Sequence, residues 1–199
     1  MNNTRVAILI SGNGSNMEAL LNAMLDDEHP GEPCVVISDN PDAGGIEKAG
    51  RQGVPTRVVS RKDFSTKQDF ETALTEILLE FETDLICLAG FMRVLSADFV
   101  ARFENRILNI HPSLLPLFKG LHTHRRALQA GVAVHGCSVH VVTVKLDDGK
   151  ILGQAAVPVE ETDTEQSLAT RVLIQEHRLY PVVLRAYLEG STAPISHFP

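Results

Sequence analysis

Positive charge is scarce in this chain: 18 lysines and arginines stand against 25 aspartates and glutamates, for a formal net charge of −7. A surface that follows a phosphate backbone is dominated by Lys and Arg, so the balance argues against a nucleic acid partner. Small anionic ligands need only local positive potential, which Lys67, Arg93, Lys119, Arg125 and Arg126 could supply. Long apolar runs are also missing. Only five apolar residues follow Arg5 before Ser11 and Gly12, too few for a signal sequence or a membrane span. No membrane partner is expected. Cysteine is limited to Cys34, Cys87 and Cys137, odd in number, far apart and set in apolar strand-like runs. That pattern suits buried reduced thiols in a cytoplasmic protein better than disulfides or zinc. Nor do His122, His124, His135 and His140 form the i, i+4 pair of a helical metal site, so no metal is expected.

What is present fills an ordinary globular range. The 199 residues, 44% hydrophobic and 22% charged, carry no repeat, low-complexity tract or linker, and read as one compact domain. Strand-like runs recur at Arg5 to Ile10, Cys34 to Ser38, Thr56 to Ser60, Leu85 to Leu88, Arg106 to Ile110 and Ser138 to Val144. Helical patterns fall between most of them, at Asn16 to Leu25, Gly45 to Gln52, Lys67 to Phe81, Ser96 to Phe103 and Thr123 to Ala130. The alternation predicts an α/β fold with a doubly wound, mostly parallel sheet. A loop at Asp147-Asp148-Gly149, a strand around Gln154 to Val159 and a long closing helix from about Thr164 to Glu189 complete it.

The segment Arg106 to Pro116 is the most telling. An apolar, β-prone run ends in Asn109 and His111, and Pro112 and Pro116 stop the strand from continuing. Residues two apart on a strand share a face, so the amide and the imidazole can converge on one substrate atom. In an open α/β sheet, ligands bind beyond the carboxyl ends of the strands. The plainer alternative is an Asn and a His that close a turn.

Ser11-Gly12-Asn13-Gly14-Ser15-Asn16 follows the first strand and opens a helix. Its backbone N–H groups and the helix dipole make an anion site, to which Ser15 and Asn16 can add donors or a cap. A structural turn with a well-capped helix is the alternative. A nicotinamide-binding reading, with Asp39 as the ribose ligand, lacks the third glycine of the fingerprint, because Met17 stands in its place. In the last helix, Val172, Leu173, Leu179 and Tyr180 lie three or four positions from Glu176, which sets its carboxylate on the apolar stripe. A buried acid needs a partner, either a structural cation or a ligand.

Four segments in register carry a resemblance: Ser-Gly-Asn-Gly-Ser-Asn at 11 to 16, Leu-Ala-Gly-Phe-Met-Arg at 88 to 93, Asn-Ile-His-Pro-Ser-Leu-Leu-Pro at 109 to 116, and His-Gly-Cys-Ser-Val-His at 135 to 140. With them the chain closely resembles the phosphoribosylglycinamide formyltransferase family, from Arg5 to about Glu189. The resemblance implies a Rossmann-like formyltransferase fold with a phosphate-binding half over about 1–100 and a folate and catalytic half over about 84–190. It implies transfer of the formyl group of 10-formyltetrahydrofolate to the amine of glycinamide ribonucleotide, with Asn109, His111 and Asp147 as the catalytic set. Asn109 and protonated His111 would stabilise the oxyanion, and Asp147 would raise the His111 pKa and assist proton transfer. Without the resemblance, Asp147 reads as a turn residue. The ribonucleotide phosphate would lie on Gly14, Ser15 and Asn16, and Leu173, Ile174, Gln175 and Glu176 would hold the rest of that substrate. Folate would meet Lys67, Met92, Arg93, Val94, Leu95, Asn109 and the loop Thr143, Val144, Lys145, Leu146 and Asp147. Met92, Val94 and Leu95 could otherwise be core, and Arg93 and Lys67 solvated. His140 reads as a hydrogen-bonded core residue near the site.

The chain departs from the family pattern at Asp148 and Gly153. A second carboxylate beside Asp147 would either raise its pKa or point into solvent. A formyltetrahydrofolate hydrolase is expected to carry an extra amino-terminal domain and a methionyl-tRNA formyltransferase an extra carboxyl-terminal one. A non-catalytic phosphate-ligand sensor would keep Gly14 to Asn16 without needing the three catalytic residues together. The expected assembly is a monomer or a homodimer.

Overall fold

The computed structural model describes residues 3–191 and 193–197. Eight strands and six α-helices alternate through these residues in a mostly parallel α/β arrangement. The chain divides into two compact units, Met1–Leu108 and Asn109–Pro199. Among the described residues no helix is long and apolar enough to cross a membrane.

The first unit contains β1 (Thr4–Ile10), α1 (Ser15–Ala23), β2 (Gly31–Ser38), α2 (Gly44–Arg51), β3 (Thr56–Val58), a 3-10 turn at Arg61–Asp63, α3 (Lys67–Glu80), β4 (Leu85–Leu88) and α4 (Ala97–Arg102). Its strands lie in the order β3-β2-β1-β4, and the three pairings are parallel. Val6 to Ile10 and Val35 to Ile37 are completely buried, the near-continuous apolar pattern of strands covered on both faces. Strand β2 begins earlier than expected because Pro33, which cannot donate to a ladder, coincides with a register shift between Val6 and Ala7. Strand order reverses between β1 and β4, so the crevice beyond their carboxyl ends is the topological switch point of this unit.

Strand β5 (Ile107–His111) runs across the boundary into the second unit, which continues with α5 (Thr123–Ala130), β6 (Val134–Val141), β7 (Ile151–Pro158), α6 (Glu165–Leu188) and β8 (Ile195–His197). Here β6 and β7 are antiparallel, and β8 adds parallel to β7. The strand expected over Ser138 to Val144 is displaced toward the amino terminus. It ends at Val141 because the chain folds back at Gly149, where any Cβ would lie 1.7 Å from the Val141 carbonyl oxygen. Thr143, Val144, Lys145 and Leu146 are therefore exposed loop residues. Strand β8 was not expected; its three residues are too few to show a period. Helix α6 opens with a reciprocal cap between Thr164 and Ser167. Gly153 fits directly under this helix: a Cβ there would meet the Val183 side chain at 2.5 Å.

Candidate active site

Strand β5 extends one residue further than its apolar pattern suggested, so that His111 is its last residue and shares a face with Asn109. Immediately beyond it, the turn through Ser113 and Leu115 is fixed by β6 and β7. The buried Ser138 hydroxyl donates to Ser113 O (2.7 Å) and accepts from Leu115 N and Gln154 Nε2 (both 2.9 Å). That saturates the one donor and two acceptor sites of a hydroxyl. The strand end is thereby held by long-range bonds as well as by its prolines.

His140 sets the orientation of Asn109. Its Nδ1–H donates to the Val141 carbonyl at 3.0 Å, which leaves Nε2 as an acceptor for the Asn109 Nδ2 amide at 3.2 Å. Burial holds the His140 imidazole below its ordinary range, against the opposing pull of that carbonyl and of Asp147, so the ring stays neutral and can accept. One amide hydrogen of Asn109 is engaged in this way, and the second is left for a ligand.

His111 Nε2 lies 3.2 Å from the Phe118 carbonyl oxygen, and its Nδ1 lies 3.5 Å from Asp147 Oδ2. An imidazolium at this position would have an acceptor at each nitrogen. Asp147 is not the solvated turn residue its neighbours suggest. It is buried with φ of 47°, accepts from Gly120 N at 2.8 Å, and sits 3.7 Å from His140 Nε2. Asp is one of the few residues that tolerate this left-handed conformation. Asp148 turns its carboxylate to Lys119, which holds it below the usual carboxylate range, so of the two alternatives raised by its sequence position it takes the outward one.

In the first unit, the turn from Ser11 to Gly14 leads into α1, whose N-cap is Gly14 at φ 70°. The N-cap is thus a glycine with no side chain to offer, and Ser15 and Asn16 are the first two residues of the helix rather than its cap. Gly14 packs on Gly45 at the start of α2, where an added Cβ would meet Ile10 at 2.4 Å and Gly12 O at 3.1 Å. Gly45 supports the turn, although nothing in its local sequence signals that role. Met17, which replaces the third fingerprint glycine, is fully buried. Asp39 follows β2 as the nicotinamide reading requires, but its carboxylate is taken by Arg93 at 2.5 Å.

The loop between β4 and α4 carries Met92, Arg93, Val94 and Leu95. Met92 and Val94 are 69% and 65% exposed and Leu95 is half-buried, so none of the three apolar candidates is core. Ser11 Oγ accepts from Met92 N at 2.8 Å, tying this loop to the glycine turn across the switch point. Lys67 opens α3 and lies 3.9 Å from Glu71, which in turn accepts from Ser96 N at 2.7 Å.

On α6, Glu176 is buried beside Val172, Leu179 and Tyr180, while Leu173 and Ile174 are exposed and Gln175 is half-buried. Burial first, with Glu176 second, pushes the Cys137 thiol far up. The structure thus brings Asn109, His111, Asp147 and His140 together, whereas Leu173 and Ile174 face away from the core side of α6 that Glu176 occupies. Cys34, Cys87 and Cys137 are buried and outside any disulfide. Among the described residues, no group of three or more His, Cys, Asp or Glu is placed to hold a metal ion.

Comparison with known proteins gives a consistent result. The formyl transferase family pattern matches residues 4–184. The chain is 42% identical to the phosphoribosylglycinamide formyltransferase of Escherichia coli strain K12 over 185 residues, covering 93% of this chain and 87% of that protein. It is 46% identical to the trifunctional purine biosynthetic protein adenosine-3 of Bos taurus over 94% of this chain, but spans only 18% of that protein's length. The crystal structure of phosphoribosylglycinamide formyltransferase from Brucella melitensis superposes with a TM-score of 0.90 at 53% identity, covering 97% of this chain and all of that one.

Proposed function

The chain belongs to the formyl transferase family, and from that premise we propose that it transfers the formyl group of 10-formyltetrahydrofolate to the amine of glycinamide ribonucleotide in purine biosynthesis. The observation that carries this reading is the convergence of Asn109, His111 and Asp147, with His140 orienting the amide. Attack of the substrate amine on the formyl carbon builds negative charge on the formyl oxygen. The free amide hydrogen of Asn109 and the Nε2–H of His111 are the donors for it, the oxygen replacing the Phe118 carbonyl at Nε2. The bond from the formyl carbon to N10 of the folate then breaks, and the proton lost by the amine passes to that nitrogen. Asp147 balances the charge on His111 during this transfer and orients the ring or a water that moves the proton.

Gly14, Ser15 and Asn16 are the proposed phosphate site, because they form the glycine-capped amino end of α1, where the helix dipole and backbone N–H groups favour an anion. Glu176, with Leu173, Ile174 and Gln175 adjoining it, would hold the remainder of the ribonucleotide. Lys67, Met92 to Leu95 and the loop Thr143 to Asp147 would line the folate site, and the exposure of Met92, Val94, Val144 and Leu146 suits a flat aromatic ligand. The reaction would run in the cytoplasm without a metal, in a monomer or homodimer. The test is the absorbance change on mixing the purified protein with 10-formyl-5,8-dideazafolate, with and without glycinamide ribonucleotide. Deformylation that requires the ribonucleotide is expected, whereas deformylation without it would identify a hydrolase. No reaction, together with tight ribonucleotide binding, would identify a sensor.

A further inference from the structure

Asp39 directly follows β2, with its side chain only 1% exposed. One carboxylate oxygen accepts from Arg93 Nε at 2.5 Å, and the other, Oδ1, is buried with no hydrogen-bond partner. A buried carboxylate that leaves half its acceptor capacity unused is a poor way to stabilise a fold, since an apolar residue of similar volume would avoid the desolvation cost. Its effect on Arg93 is different. The backbone of that loop is already fixed on both sides of the arginine, by Met92 N on Ser11 Oγ and Ser96 N on Glu71 Oε1. The long side chain remains to be ordered, and it is 47% exposed. Asp39 grips it through Nε and leaves the two terminal amino groups without a protein partner among the described residues.

We infer that Asp39 is a positioning residue for folate binding: it holds the Arg93 guanidinium so that its terminal amino groups are preset for acceptor atoms of the folate. The proposal rests on the reading that Arg93 lines the folate site. It gives Asp39 a task unlike that of the acidic residue at the same place in a dinucleotide-binding fold, where the carboxylate itself meets the ligand.

A double-mutant cycle read through KM tests it. Steady-state kinetics with 10-formyl-5,8-dideazafolate and glycinamide ribonucleotide would be measured for Asp39→Ala, Asp39→Asn, Arg93→Ala and each double variant. Asp39→Ala should raise the KM for the folate analogue about tenfold, the effect of losing one charge-assisted hydrogen bond. It should leave the KM for the ribonucleotide within about twofold, a split that general damage to the fold would not produce. In the Arg93→Ala background the same change should add nothing. Asp39→Asn, whose amide oxygen still accepts from Nε, should give about a threefold rise that also vanishes without Arg93, and it serves if the alanine variant does not fold. An equal rise in both backgrounds, or an unchanged folate KM in the Asp39 variants, overturns the positioning role alone. An unchanged folate KM in Arg93→Ala removes Arg93 from the folate site and overturns both readings.

Discussion

The Asn109 amide nitrogen stands 3.2 Å from His140 Nε2, and the other imidazole nitrogen is committed to the Val141 carbonyl. A buried histidine thus fixes which end of the asparagine amide faces the ring and which hydrogen is left over. The imidazole has no freedom to reverse its roles, because its Nδ1 must donate where only a carbonyl is offered. A residue that lies 31 positions away in the chain decides the geometry of the proposed oxyanion donor.

Replacing His140 by Ala should therefore lower kcat about tenfold or more while both KM values stay within about twofold, since a misdirected amide is felt mainly in the transition state. The cavity left behind also costs stability, about 2 to 4 kcal/mol by analogy with other large-to-small core changes. Thermal melts beside steady-state kinetics separate the two effects. A kcat equal to wild type in a folded variant would show that Asn109 orients itself.

His111→Ala and Asn109→Ala each remove a donor to the formyl oxygen. Turnover should fall by about 10² or more in either variant, the usual scale for deletion of one oxyanion donor. Ribonucleotide affinity, measured by calorimetry, should survive. Wild-type turnover in either variant would contradict the mechanism.

Ser15→Ala combined with Asn16→Ala should weaken ribonucleotide binding and leave dideazafolate binding within about twofold, because these residues form the amino end of α1. Equal loss of both ligands would point to a damaged turn instead. Gly45→Ala supplies that comparison, since its Cβ would lie 2.4 Å from Ile10. Overpacking there should cost about 1 to 3 kcal/mol of stability.

The pair His135 and His124, 3.2 Å apart, gives a pH dependence of stability. Burial first, and then His124, lowers the His135 pKa from 6.5 to about 4. The folded state therefore favours the neutral ring. Its contribution is fully present above the unfolded value of 6.5 and is lost progressively as pH falls toward about 4. A tenfold change in proton affinity corresponds to about 1.4 kcal/mol, so the loss across this window is at most about 3.5 kcal/mol. Urea unfolding of wild type and His135→Asn at several pH values checks it. The variant should show a flatter slope between pH 6.5 and 4, and parallel slopes would assign the acid sensitivity to other groups.

Much of the fold and part of the site are legible in the linear chain. The apolar strands alternate with helical patterns strongly enough to give the α/β class, and Asn109-Ile110-His111-Pro112 fixes a strand end with two polar groups on one face. The glycine turn that opens α1 is legible for the same reason: spacing along one strand or one turn is a local property, set by backbone sterics and periodicity. The end of β6 was not legible, because it depends on the close approach of Gly149 to Val141 rather than on β propensity, which Thr143 and Val144 also possess.

Pairings between distant residues were decided by the tertiary structure alone. Asp147 becomes a buried partner of His111 only because Gly120 donates to it and Gly149 turns the chain back beneath β6. Asp39 is committed to Arg93 only because the loop after β4 is anchored on Ser11. Sequence by itself determined which residues could do chemistry and which strand would present them. The choice of partners fell to the packed state, since a carboxylate, an amide or an imidazole acquires its role from whatever groups burial places within about 3 to 4 Å of it.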